Sequence, residues 1–121
     1  MKKFTSMLLV LISIFLLSGC IKYSAPLSDF VHIQHDANGN VCRVEMDISE
    51  DSQQVFLSLL NNGKWVNDIT NCAADYEFTA QQIKMRYHSE CGTFIDITNG
   101  RSLSLSEEDK TIINQLLASI D

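Results

Sequence analysis

The sequence predicts an α+β domain: an antiparallel sheet made of an N-terminal hairpin and a C-terminal meander, packed with two helices at about 50–62 and 106–120. Three observations carry that expectation. Residues Val41 to Ile48 alternate strictly, with Cys42, Val44, Met46 and Ile48 on one side and Arg43, Glu45 and Asp47 on the other, the period of a half-buried strand. Two Asn-Gly pairs, at 38–39 and 99–100, are strong signals for tight hairpin turns. Two apolar stripes recur at helical spacing behind a serine and a run of acids, the layout of a capped helix N-terminus.

Taken along the chain, Phe30 to His35 is the first strand and Asp36 to Asn40 the turn, which leads into the alternating strand. Ser49 caps a helix whose Val55, Phe56, Leu59 and Leu60 share a face, and Gly63 ends it. Lys64 to Ala74 is the least regular stretch, a short strand and then loop, and holds the lone tryptophan, Trp65. From Asp75 the pattern is β again. Tyr76 to Phe78 and Ile83 to Tyr87 form two strands, Ser89 to Gly92 a turn, and Thr93 to Thr98 and Arg101 to Leu105 two more. Ser106 then caps a helix that lines up Ile112, Ile113, Leu116, Leu117 and Ile120 against the sheet. A hairpin, a helix, a meander and a covering C-terminal helix give an α+β architecture.

The N-terminus follows a different logic. Lys2 and Lys3 precede an apolar run from Met7 to Leu17, broken only by Ser13, and small residues lead into Cys20. That is the three-part layout of a secretory signal. The run is shorter than the roughly 20 apolar residues that cross a bilayer's hydrocarbon. Leu17-Ser18-Gly19-Cys20 resembles the lipobox of bacterial lipoproteins at all four positions. The resemblance implies that the Cys20 thiol receives a diacylglycerol, that the Gly19–Cys20 bond is cut, and that the new amino terminus is acylated, commonly with palmitate. For a Gram-negative cell it also implies the outer membrane, facing the periplasm, because Ile21 and not aspartate follows the cysteine. Two or three acyl chains, at about 0.8 kcal/mol per buried methylene, give effectively permanent attachment. The expected division is therefore a signal at 1–19, a lipidated tether at 20–28 and a single domain at 29–121.

Removing the signal takes away two lysines and no acid, leaving seven basic and fifteen acidic residues, a formal −8. An acidic domain repels nucleic acid and anionic lipid head groups, and suits a basic protein partner. Of the remaining cysteines, Cys72–Cys91 is the preferred disulfide, since a hairpin turning near Ala80 would bring the two together; Cys42–Cys72 and Cys42–Cys91 are the other pairings. Cys42 is then expected to be a buried free thiol on the core face. No C-x-x-C pair, nucleophile elbow or phosphate-binding glycine loop occurs. His32 and His35 are three apart on a strand and point to opposite sides, so neither a metal nor a cofactor is expected. Asp68 and Asp75 are the kind of carboxylate pair any acidic domain offers.

The expected role is thus non-enzymatic binding at the envelope, with Trp65, Asn67, Asp68 and Asn71 as the candidate surface: one large aromatic among hydrogen-bonding groups. The format of a small, exported, acidic, disulfide-stapled lipoprotein resembles inhibitor and immunity proteins that block toxins or lysozyme-like enzymes in the periplasm. The alternative is an assembly accessory of the envelope or of a secretion or conjugation apparatus.

Overall fold

A computed structural model of the chain describes residues 21–69 and 73–120. The elements run β1 (Leu27–His35), β2 (Val41–Glu45), α1 (Glu50–Asn62), β3 (Tyr76–Ala80), β4 (Ile83–His88), β5 (Thr93–Asp96), β6 (Arg101–Ser104) and α2 (Glu107–Ile120). The architecture is α+β, as the alternation and capping signals predict. The hairpin and the meander are not separate, however. All six strands join one antiparallel sheet in the order β2-β1-β3-β4-β5-β6, so β1 is the seam, paired with β2 on one side and β3 on the other.

The local causes are visible. Asp36 closes the first turn by accepting from the amides of Asn38 and Asn40, and Gly39 takes the left-handed φ of +81° that the turn requires. Ser49 accepts from Ser52 N–H, and Ser106 from Asp109 N–H, so both helices start on the serines expected to cap them. Phe56, Leu57 and Leu60 of α1 and Ile113 and Leu117 of α2 press onto one sheet face, where Phe30, Tyr76, Phe78, Met85, Tyr87, Phe94 and Leu103 wait. Phe30 stacks flat on Phe78 at 4.9 Å, and Phe56 meets Phe78 and Phe94 edge-on. Ile112 is left 45% exposed, so the second helix rolls its stripe toward Ile113 and Leu117.

Two expectations need correction. Cys42 lies on the predicted side of its strand, since Gln34 pairs with Cys42, His32 with Val44, and the core residue Phe30 binds the Met46 amide. It is nevertheless exposed, as is all of β2. The strand is the sheet edge and its tip outruns the core packing; only Met46, where it re-enters, is buried. Gly63 ends α1 as expected, at φ −81°, where no left-handed turn demands glycine. It is needed for space instead, because a Cβ there would overlap the methyls of Leu103. Finally, residues 23–27 are not a loose tether. Tyr23 and Leu27 are 1% and 6% exposed, and the Leu27 amide donates to Gln53 on α1.

Candidate functional site

Tyr23 organises the most elaborate polar cluster of the fold. Its backbone N–H donates to Asn61 Oδ1 and its carbonyl accepts from Asn61 Nδ2, both at 2.8 Å. The side-chain amide thus imitates a β-bridge and clasps the N-terminal segment to the end of α1. The Tyr23 hydroxyl donates to Asp96 Oδ2 at 2.6 Å and accepts from Arg101 Nη2 at 2.6 Å. Asp96 is fully buried and takes two further bonds from the backbone and side chain of Asn99. Burial, and then the neighbouring Asp96 carboxylate, push the Tyr23 hydroxyl well above the usual phenol range, against the opposing pull of Arg101. The phenol therefore stays protonated and serves as a donor.

Trp65 stands beside this cluster. Its Nε1–H donates to the Leu60 carbonyl at 2.7 Å, satisfying an acceptor in the last turn of α1, where the helix itself supplies no donors. One ring face packs against Tyr23 at 5.2 Å. The Arg101 guanidinium lies 4.6 Å from the Trp65 ring centre and 5.3 Å from that of Tyr23, in cation–π contact with both rings. Together Ile21, Lys22, Leu60, Asn61, Gly63, Trp65 and Arg101 line an open groove of about 490 Å³.

Of the residues expected to form a binding surface, Trp65 is half-buried and lines this groove. Asn67 and Asp68 are exposed and lie outside it. Asn71 lies outside the described residues. Tyr23, Asn61 and Arg101 were not singled out by sequence reasoning. The signal for Tyr23 was an aromatic in what otherwise reads as linker; nothing local marks Arg101 or Asn61. Cys91 is disulfide-bonded, while Cys72, its preferred partner, falls outside the described residues, as do Gly19 and Cys20.

No known protein family, curated protein or solved structure matches the chain.

The other chemistry-bearing groups are absorbed locally. On the sheet face away from the helices, Glu77 is held between Arg43 and Arg86; burial opposes its ionisation, but the two guanidinium groups outweigh it and keep the carboxyl below its ordinary range. Asp75 accepts from the backbone and hydroxyl of Ser89, and Asp68 stands apart in the exposed segment. His32 stacks on Tyr76 at 4.4 Å, His35 is exposed, and His88 is buried on the same side of β4 as Arg86. Among the described residues no three His, Cys, Asp or Glu side chains gather as metal ligands.

Proposed function

We propose that the chain is a lipid-anchored, non-enzymatic binding protein of the bacterial envelope, tethered through Cys20 to the outer membrane and directed at a basic protein, as an inhibitor or immunity protein is. The observation that carries the reading is Leu17-Ser18-Gly19-Cys20 at the end of an apolar run, with a folded body beginning three residues later at Tyr23. The acidic surplus supports the choice of partner. Glu50 and Asp51 sit in the first turn of α1, and Glu107, Glu108 and Asp109 in the first turn of α2, where the helix dipole stabilises them. Between the helices runs a shallow, mostly apolar groove lined by Val55, Ser58, Leu59 and Ile112 with Asp109 on its rim. An apolar floor with acid beside it fits an amphipathic basic element of another protein.

The anchor is tested by radiolabelled palmitate in cells. Label on the wild type and none on Cys20→Ser is the expected result; label persisting on the variant defeats the reading. The partner is tested by pull-down from envelope extract with the mature protein. A basic protein should be retained and released as salt rises, because exposed charge attraction is screened within about 8 Å at physiological ionic strength. Capture indifferent to salt would remove charge as the basis of recognition.

A further inference from the structure

We infer that the free edge of β2 pairs antiparallel with β2 of a second copy of this chain, about a two-fold axis beside Val44, so that two sheets continue as one. The backbone sets this up. Met46 N–H donates to the Phe30 carbonyl and Asp36 N–H to the Asn40 carbonyl, so the even-numbered residues of β2 turn their amides and carbonyls toward β1. In an antiparallel ladder the residues between them turn theirs away. Val41, Arg43 and Glu45 therefore present backbone donors and acceptors at the rim, and all five residues of β2 are exposed. The other edge is treated differently: Val66 takes both the amide and the carbonyl of Ser102 on β6. Natural sheets blunt an open edge with lysine, proline or a bulge. Val41 to Glu45 contains neither lysine nor proline, and its register with β1 runs without a shift.

The side chains select a second copy as the occupant, and they select its register. Among the described residues Glu45 is in no ion pair, since Glu77 takes Arg43 and Arg86 while Asp96 takes Arg101. Arg43 commits Nη2 to Glu77 and has Nε and Nη1 to spare. Arg43 and Glu45 are two apart on the strand, so they share the face away from the helices. With the axis beside Val44, Arg43 of each copy lies opposite Glu45 of the other, and the two exchange both backbone hydrogen bonds. The unpaired acid thereby gains a guanidinium on either side of the axis. On the helix face Val44, 36% exposed, meets Val44 of the second copy at a non-hydrogen-bonded position, with about 4.5 Å between Cα atoms. An axis at Arg43 would set like charges opposite one another, which destabilises a cross-strand pair. An axis at Cys42 would leave Glu45 facing the turn glycine, Gly39.

Disulfide trapping reads the register, whatever the fate of the anchor. The chain is purified as its producing cells yield it and oxidised with copper–phenanthroline in air. Val44→Cys in a Cys42→Ser background should convert most of the chain into a dimer on a non-reducing gel, since a disulfide spans Cα atoms about 4.4–6.8 Å apart. The chain with its own Cys42 should give little, because Cys42 faces Met46 of the second copy and stands about 13 Å along the strand from the second Cys42. Val41→Cys in the Cys42→Ser background should also give little. Glu45→Arg places like charges at both sites and should cut trapping at Val44→Cys at least about fivefold, while Glu45→Asp should leave it unchanged. These positions are all exposed, and a circular dichroism melt checks that each variant folds. Strongest trapping at Cys42 or at Val41→Cys overturns the register, and trapping indifferent to Glu45→Arg overturns its basis in charge. A product joining the chain to a different protein overturns the second copy as occupant. Folded protein that gives no product at any position overturns the pairing itself.

Discussion

The hydroxyl of Tyr23 links a buried carboxylate to a guanidinium, and the balance of costs around it can be read directly. Asp96 is completely buried, and a buried acceptor stripped of a donor costs about 1–3 kcal/mol, more when charged. Tyr23→Phe keeps the ring against Trp65 while removing that donor, so urea denaturation should show a loss of about 1–3 kcal/mol with an unchanged m-value. His88 presents the opposite problem. Burial, opposed by a backbone contact with Ala73 and by Asp75, holds its imidazole below the ordinary value of 6.5. The folded state therefore keeps His88 neutral while the unfolded chain takes up a proton as pH falls below about 6.5. Stability contributed by the neutral ring is present above that pH and is lost on acidification. Chemical denaturation across this range should show the decline, and His88→Leu should flatten it.

At the scale of elements, the capping serines, the Asn-Gly turns and the period-two strands were all legible, because each is set by residues within a few positions of one another. What could not be read was which strand lies beside which. The β1–β3 seam joins Leu27 to Ala80 and His32 to Tyr76 across a helix and a loop, and no local pattern announces it. The same blindness misjudged Cys42: alternation reports which side a residue faces, while burial depends on whether another layer reaches that far. As β2 is an exposed edge, Cys42 should react with maleimide in the native protein as fast as a free thiol of similar acidity. Cys42→Ser should move the stability by no more than about 0.5 kcal/mol, as surface substitutions do. Slow labelling that waits on unfolding would put the thiol back inside. The candidate site was the least legible part, since Trp65 meets Tyr23, Asn61 and Arg101 only after the sheet is complete.

For the whole molecule, the important boundary is the one before β1. A chain starting at residue 29 loses Tyr23 and Leu27, and deleting a buried aromatic or leucine costs about 2–5 kcal/mol each. Total stabilities are roughly 5–15 kcal/mol, so that fragment should melt far below the mature protein or fail to fold by circular dichroism. A chain starting at Ile21 should fold. Equal melting temperatures for the two would show that the Tyr23 clasp is dispensable.

The clasp also sets a timetable. Tyr23 lies three residues beyond Cys20 and, once seated against Asn61, leaves at most about 11 Å of chain before that cysteine. On the proposed anchoring through Cys20, an enzyme acting there is expected to need access to the chain on both sides of it. On that proposal, acyl transfer and removal of the leader are expected to precede closure of the N-terminal segment, since a domain that matured too early would shield Cys20.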